Sequence, residues 1–229
     1  MFDTVIVSGG SLHREFALSF IQEAKRRCRE AQKELLLIAA DRGLDFFRQT
    51  GLLPGLAVGD FDSLSAEGLL YLETLQESGE SEVVRLCPEK DDSDTQHAVQ
   101  TARERGARSI AILGATGNRI DHLMANLGLL LSGDVTIVDP FNIIAVVASG
   151  TRLVKEEQTG SYVSFFPLAG PVRGLTLEGF RYPLAGYDLS LADCGLTVSN
   201  EITSATAVIT YTSGTLLMIR SRDKYRDKI

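Results

Sequence analysis

The chain has 229 residues, of which 44% are hydrophobic and 23% are charged, a composition that suits one large or two small globular domains. Its 23 basic and 30 acidic residues give a formal net charge of −7, and no basic stripe offsets it. We therefore expect neither a nucleic acid nor a membrane among its main partners.

In the first part of the chain, up to about Asp139, short apolar runs alternate with segments of helical periodicity. The apolar runs predict strands at residues 4–8, 35–39, 56–59, 83–86, 109–113 and 135–138. The periodic segments predict helices at residues 14–29, 66–76, 94–105 and 120–131. This alternation is typical of an α/β domain with a mostly parallel sheet, which we assign to residues 1–140.

After Asp139-Pro140 the helical patterns stop and short alternating runs take over. These runs predict strands at residues 143–148, 162–166, 175–177, 205–209 and 215–219, with glycine and serine turns between them. Such spacing favours an all-β sandwich or barrel-like domain, which we assign to residues 141–229.

Three cysteines, Cys28, Cys87 and Cys194, lie far apart and form no CxxC or Cys/His cluster. The sequence therefore indicates neither a zinc site nor a disulfide framework, and it favours a reducing compartment. The N-terminus has no signal-peptide pattern, and no apolar stretch approaches the length of a membrane span. We expect a cytoplasmic protein.

Two aspartates follow the third predicted strand, in the sequence Gly59-Asp60-Phe61-Asp62-Ser63. Side chains two apart in a strand share a face, so Asp60 and Asp62 could point the same way from a strand end. Such a pair would suit a hard divalent cation. The alternative is a capped turn before the next helix, although Ser63 or Ser65 could cap that helix without two aspartates.

Two further strand ends are acidic. Asp41 follows the second predicted strand, where a role as helix cap and a functional role are about equally favoured. After the fourth strand, Lys90 precedes Asp91, Asp92 and Asp94. Three aspartates in four residues repel one another unless a cation or a helix N-terminus offsets them, and capping explains only one.

The fifth predicted strand leads into a glycine loop, Gly114-Ala-Thr-Gly117-Asn118-Arg119-Ile120-Asp121-His122. Glycines between a strand and a helix let backbone N–H groups approach phosphate oxygens, and Arg119 can add a planar fork of donors. Neither a Walker A lysine nor a GxGxxG motif is present, so the loop alone is a weak signal.

All four loops leave the carboxyl ends of predicted strands, where open α/β sheets bind their ligands. Mg²⁺ is commonly held by one or two carboxylates together with substrate phosphates, and clustered aspartates beside basic residues and glycines provide for both. The sequence therefore predicts Mg²⁺-dependent phosphoryl-type transfer, in which a carboxylate can accept the proton of the attacking hydroxyl.

Five motifs, in their order and spacing, resemble those of the thiamine pyrophosphokinase family. They are AADRG at 39–43, GDFDS at 59–63, KDDSD at 90–94, GATGNRIDH at 114–122 and VSNE at 198–201. Together they span nearly the whole chain and are far more specific than any one of them.

The resemblance implies that residues 1–140 bind Mg-ATP, that residues 141–229 help to bind thiamine, and that the protein is a homodimer. The implied reaction transfers the β,γ-pyrophosphoryl group of ATP to the thiamine hydroxyl and releases AMP. The metal and catalytic cluster would contain Asp60, Asp62, Asp91 and Asp94, with Asp121 nearby and Asp41 at its edge. The nucleotide or phosphate site would contain Asp41, Lys90, Gly114, Gly117, Arg119 and Asp121, and the thiamine site Tyr182, Ser199 and Asn200.

Two positions depart from the family pattern. Tyr182 stands where the family often has a tryptophan that stacks on thiamine, and a tyrosine ring can also stack. Asn118 stands where the family's loop commonly has a second glycine, and asparagine tolerates left-handed backbone geometry better than most residues.

Two other functions stay open at this point. A metal-dependent phosphohydrolase would use the same acids to activate water. A non-enzymatic module would bind a nucleotide or thiamine as a sensor. Turnover of a phosphate ester without an alcohol acceptor would favour the first, and tight binding without product would favour the second.

Overall fold

The computed structural model describes residues 1–87, 93–117, 119–158 and 161–223. The chain divides into two compact units, Met1–Pro140 and Phe141–Ile229. Within the described ranges, no helix is both long enough and apolar enough to cross a membrane.

The first unit is an α/β layer structure built on a parallel sheet. Its strands are β1 (Thr4–Val7), β2 (Leu36–Ala40), β3 (Leu56–Gly59), β4 (Glu82–Arg85), β5 (Ile110–Leu113) and β6 (Val135–Val138). Its helices are α1 (Arg14–Glu30), α2 (Leu44–Thr50), α3 (Ala66–Ser78), α4 (Asp94–Glu104) and α5 (Ile120–Leu129). The strands pair in the order β4-β3-β2-β1-β5-β6, and each of these pairs is parallel.

Burial on both faces explains why these strands are apolar throughout. Every residue of β1, β3 and β5 is buried. Helix α1 buries Ala17, Ile21, Ala24 and Cys28, a spacing that gives one apolar stripe along a helix. Helices of this kind cover the sheet, and the predicted α/β class with a mostly parallel sheet is confirmed.

The second unit consists of two antiparallel sheets. Its strands are β7 (Asn142–Val147), β8 (Thr151–Val154), β9 (Tyr162–Pro167), β10 (Val172–Glu178), β11 (Leu184–Leu189), β12 (Thr206–Thr210) and β13 (Leu216–Ser221). One sheet has β13 between β7 and β9, and the other has the order β11-β10-β12-β8. Both sheets contribute to one buried core. In that core, Phe165 and Phe180 make an edge-to-face contact with ring centroids 5.5 Å apart. This is the predicted all-β sandwich.

Three elements were not predicted from the sequence. Helix α2 is only seven residues long, too short to show a clear helical period, and buried Phe46 and Phe47 hold it in place. Strand β8 is four residues long with a single buried position. Strand β11 is largely exposed and contains Gly186 in the left-handed region, so its alternation is weak.

Candidate active site

The carboxyl ends of the parallel strands open into a cleft of about 890 Å³ in the first unit. The chain runs outward from β1 to β4 on one side and through β5 to β6 on the other, so β1 and β5 flank the topological switch point of the sheet. The described lining comprises residues 7–12 and Arg14, residues 40–43 with Phe46 and Gln49, Asp60, Asp62 and Ser63, residues 93–95, and Gly114, Ala115, Gly117, Arg119, His122 and Asn126.

Three carboxylates meet in this cleft. Asp41, Asp60 and Asp94 each bring one oxygen to within 4.8 Å of the other two, and all three residues are half-buried. They come from the end of β2, the end of β3 and the first turn of α4. From the sequence, Asp60 and Asp94 are expected in the metal cluster and Asp41 at its edge, as part of the phosphate site. The structure brings Asp41 into the same group.

The surroundings of Asp41 disfavour the charged form of its carboxyl. Burial raises the pKa of its carboxyl above the ordinary value, and the neighbouring charges of Asp94 and Asp60 act in the same direction. Its Oδ2 accepts a hydrogen bond from the Ser63 hydroxyl. Its Oδ1 is buried and finds no hydrogen-bond donor within the described part of the chain. An all-oxygen group with one unpartnered buried oxygen fits a hard cation such as Mg²⁺.

Asp41 can lie close to the end of β3 because the residue opposite it there is Gly59. A Cβ on Gly59 would lie 3.0 Å from the Asp41 Cα. A larger residue at the end of β3 would therefore push the two strand ends apart, and Gly59 of the GDFDS motif keeps Asp41 near Asp60.

Asp60 and Asp62 are not placed together by strand alternation. Strand β3 ends at Gly59, and Phe61 has a left-handed φ of 64°. The expectation based on period-two alternation is therefore wrong in its geometry. Instead, the Asp62 N–H donates to Asp60 Oδ1 over 3.3 Å, and Asp62 lines the same cleft.

The KDDSD motif is described only from Ser93 onward, so predicted Lys90 and Asp91 lie outside the described residues. Ser93 caps α4, since its hydroxyl oxygen accepts from the Gln96 N–H over 3.2 Å. A serine thus fills the capping role, and Asp94 in the first helical turn faces the cleft.

The glycine loop after β5 packs closely on the loop after β1. A Cβ on Gly114, whose φ is +73°, would lie 2.7 Å from the Ser8 carbonyl oxygen, and one on Gly117 would lie 2.8 Å from the Ser11 nitrogen. A Cβ on Gly10 would lie 2.3 Å from the Gly114 carbonyl oxygen. The two loops therefore touch backbone to backbone, which only glycine permits.

The loop after β1 is part of the site that the sequence analysis missed. Residues 8–12 line the cleft, and the signal that could have revealed them is Ser8-Gly9-Gly10-Ser11 directly after a buried strand. The Ser8 and Thr95 hydroxyl oxygens lie 2.7 Å apart in a buried hydrogen bond, which ties this loop to α4.

Arg119 and Asp121 form an exposed ion pair. The Arg119 Nε donates to Asp121 Oδ1 over 3.2 Å, and its second nitrogen contacts Oδ2. This arginine lowers the pKa of the Asp121 carboxyl to about 2. Arg119 belongs to the described lining of the cleft, whereas Asp121 does not.

The predicted thiamine residues lie in the second unit. Tyr182 is 52% exposed, and the Arg181 guanidinium lies 5.6 Å from its ring centroid. Ser199 is exposed and has a left-handed φ of 57°, and its N–H donates to the Ser164 hydroxyl oxygen. Asn200 is buried, and its amide binds the N–H and the carbonyl oxygen of Tyr182 at 3.0 and 2.8 Å. Asn200 therefore fixes the backbone that carries the Tyr182 ring.

Known proteins resemble this chain over both units. The family model described as thiamin pyrophosphokinase, catalytic domain, matches residues 28–138, and the one described as thiamin pyrophosphokinase, vitamin B1 binding domain, matches residues 151–216. The thiamine pyrophosphokinase of Bacillus subtilis (strain 168) is 32% identical over 193 residues, which covers 82% of this chain and 88% of that relative.

Solved structures show the same likeness. The crystal structure of thiamin pyrophosphokinase from Geobacillus thermodenitrificans matches with a TM-score of 0.79 and 33% identity, covering 96% of this chain and 98% of that one. Yeast thiamin pyrophosphokinase, at 14% identity, shares the fold with a TM-score of 0.74 over 99% of this chain and 88% of its own. The motifs, the domain matches and the shared fold together show that this chain belongs to the thiamin pyrophosphokinase family of enzymes.

Proposed function

We propose that this chain is a Mg²⁺-dependent pyrophosphotransferase that converts ATP and thiamine into AMP and thiamine diphosphate. The observation that carries the proposal is the convergence of Asp41, Asp60 and Asp94 beside the glycine loop, within the part of the chain that matches the catalytic domain. Three carboxylates at this spacing repel one another, and a bound cation would offset that repulsion.

The acidic group would hold the metal. Asp41, Asp60 and Asp94 offer carboxylate oxygens at a mutual spacing that suits a shared cation, and Asp62 and Asp91 remain predicted members. When bound, Mg²⁺ would neutralise charge on the nucleotide phosphates.

The phosphates of the nucleotide would lie against the glycine loop. Backbone N–H groups near Gly114 and Gly117 and the N-terminus of α5 favour anionic oxygens, and Arg119 adds a guanidinium at the cleft wall. Arg14 and Arg42 also line the cleft, so four described aspartates face three described arginines there. Aspartates can bind the metal and arginines the phosphate oxygens, so a cleft with both suits a metal-bound polyphosphate better than a cleft with only acidic or only basic side chains.

The proposed reaction requires that both substrates are bound in a fixed relative orientation. The thiamine hydroxyl oxygen attacks the β-phosphorus of ATP and forms a bond to it. At the same time, the bond breaks between the β-phosphorus and the oxygen that bridges it to the α-phosphorus. The hydroxyl proton passes to a carboxylate of the acidic group, and AMP leaves with the bridging oxygen.

Thiamine would bind at the exposed residues of the second unit. The half-exposed Tyr182 ring, which the Arg181 guanidinium covers on one face, could stack on an aromatic ligand with its other face, and Ser199 offers a hydroxyl close in sequence to buried Asn200. We further propose that the protein is a homodimer and lies in the cytoplasm, which sedimentation and cell fractionation would test.

The deciding experiment is product identification by mass spectrometry after incubation with ATP, Mg²⁺ and thiamine. We expect AMP and thiamine diphosphate in equal amounts, with no product when EDTA replaces Mg²⁺. Stoichiometric ADP would contradict pyrophosphoryl transfer. Release of phosphate without thiamine would favour a phosphohydrolase, and tight binding with no product after long incubation would favour a sensor.

A further inference from the structure

Phe61, between Asp60 and Asp62, has a backbone conformation that its residue type disfavours. Its φ is +64°, in the left-handed region that bulky side chains seldom occupy. Its side chain is nevertheless almost fully buried, with 2% exposure. Residues in such conformations persist only where the surrounding structure enforces them, and they concentrate at functional sites.

The surroundings of the ring explain how this conformation is held. The Arg85 guanidinium lies over the Phe61 ring, 5.7 Å from its centroid, in a cation–π arrangement. Arg85 ends β4 and is in register with Gly59, the last residue of β3. Its guanidinium also donates to Gln76 Oε1 of α3 over 3.2 Å. The ring is thus buried, and the arginine that covers it is fixed by its position in β4 and by its hydrogen bond to α3.

The turn at Phe61 determines whether the Asp62 N–H can reach the Asp60 carboxylate. Immediately before it, Asp60 brings a carboxylate oxygen to within 4.8 Å of Asp41 and Asp94. Immediately after it, the Asp62 N–H donates back to Asp60 Oδ1. An extended conformation at residue 61 would carry Asp62 away from Asp60 and remove that hydrogen bond.

We propose that Phe61 is a positioning residue whose buried ring, covered by Arg85, holds the left-handed turn that directs the Asp60 carboxylate into the acidic group. This inference rests on the proposed function only in taking that group as a Mg²⁺ site. It assigns a role in metal affinity to an apolar side chain that touches neither the metal nor a substrate.

The test compares Phe61→Gly with wild type by titrating Mn²⁺ in the absence of nucleotide and thiamine, with free Mn²⁺ read by electron paramagnetic resonance. Glycine accepts the left-handed conformation but provides no ring to enforce it, so the turn gains other conformations. We expect Mn²⁺ affinity to fall by about tenfold or more, the usual size of the effect when a ligand loses its support. The Mg²⁺ concentration for half-maximal activity should rise similarly, and excess Mg²⁺ should restore most of kcat.

Two further variants separate positioning from packing. Leu72→Ala removes a fully buried side chain of α3 that does not line the cleft, so it should lower Tm without changing Mn²⁺ affinity. Arg85→Met keeps the apolar stem and removes the guanidinium. It should weaken Mn²⁺ binding in the same direction as Phe61→Gly by a smaller factor, about two- to fivefold.

Three results would overturn the inference. The first is wild-type Mn²⁺ affinity in Phe61→Gly despite a lower Tm. The second is an equal loss of affinity in Leu72→Ala. The third is a wild-type chain that binds no Mn²⁺ at millimolar concentration. A wild-type chain that binds Mn²⁺ and yields no thiamine diphosphate would contradict the proposed function instead, and the Mn²⁺ titrations would still decide the role of Phe61.

Discussion

Asp41 shows how a single residue of the site works against the stability of the fold. Its raised pKa means that the folded chain binds a proton at this carboxyl more tightly than the unfolded chain does. The cost of ionising it is absent below the ordinary pKa of 3.8, grows as the pH rises towards the folded value, and is complete above that value. Above pH 3.8, the Asp41 carboxyl therefore destabilises the metal-free folded protein.

Replacing Asp41 with asparagine should consequently raise Tm at pH 7 in EDTA. Each kcal/mol recovered corresponds to about 2–4 °C in a protein of this size. The advantage should disappear well below pH 3.8, where the wild-type carboxyl is protonated in both states. Differential scanning calorimetry at both pH values is the measurement.

The same substitution should remove most of the stabilisation by Mg²⁺ and lower kcat by about 100-fold or more, because a charged oxygen ligand is lost. Glu73→Gln, an exposed change on α3, is the matched charge control and should alter neither quantity. A lower Tm for Asp41→Asn at pH 7 in EDTA would show that the carboxylate is stabilising after all.

The site role of a residue was predictable from sequence where its side chain has a characteristic chemistry, such as the metal-binding carboxylate of aspartate. Aspartates at strand ends indicate a cation site, and Asp60 and Asp94 do meet in the cleft. Asp41 was expected only at the edge of this group, because its full membership depends on how closely β2 and β3 approach at Gly59. Sequence spacing carries no information on such a distance between separate strands.

At the scale of elements, two glycine-containing loops form one wall of the cleft. The loop after β1 and the loop after β5 are in backbone contact because Gly10, Gly114 and Gly117 have no side chains. Buried Asn126 of α5 secures the second loop, since its Nδ2 donates to the Ala115 carbonyl oxygen over 3.1 Å. A nucleotide phosphate would therefore meet a wall whose shape two separate loops determine.

Gly10→Ala should disrupt this wall. The added Cβ would lie 2.3 Å from the Gly114 carbonyl oxygen, so the loops must separate. We expect a loss of about 1–3 kcal/mol in the free energy of unfolding and a KM for ATP raised by about tenfold, with the KM for thiamine little changed. Urea unfolding and steady-state kinetics measure the two effects.

Gly128→Ala is the control for Gly10→Ala. Gly128 lies within α5, and an added Cβ there would meet no atom within 4 Å. Alanine should therefore stabilise the helix by about 0.5–1 kcal/mol and leave both KM values unchanged. An unchanged KM for ATP in Gly10→Ala would show that the loop contact does not shape the nucleotide site.

Whole elements were predictable when a long pattern repeated. Helix α1 and the six parallel strands follow directly from apolar runs and helical periods. Helix α2 was not predictable, because packing of Phe46 and Phe47 outweighs the weak helical tendency of seven residues. The loop after β1 was overlooked for a related reason, since two glycines and two serines look like an ordinary turn until their neighbours are known.

At the scale of the whole molecule, the two units have different architectures and match different family models. The proposed function therefore divides the substrates between them, with the nucleotide at the parallel sheet and thiamine at the antiparallel unit. Hydrogen exchange can test this division, because a bound ligand slows exchange of the backbone amides that it orders.

We expect a non-hydrolysable ATP analogue with Mg²⁺ to protect amides at residues 8–12 and 114–117, which line the cleft. Thiamine should protect residues 180–182 and 197–201, where Asn200 joins the two segments. Mass spectrometry of peptic fragments reads both regions in one sample. Protection by thiamine that spared both second-unit segments would refute the assignment of Tyr182 and Ser199.

The pairing of β1 with β5, which lie far apart along the chain, has a consequence for synthesis of the protein. Strand β1 pairs in parallel with β5, and the Asp3 carboxylate accepts from the Ser109 N–H, 106 positions along the chain. Closing so long a loop is slow, and it must wait until β5 has left the ribosome. A nascent chain that already carries Asp41, Asp60 and Asp94 therefore still lacks the β5 side of its cleft, and the acidic residues of the site are made before the glycine loop that completes it.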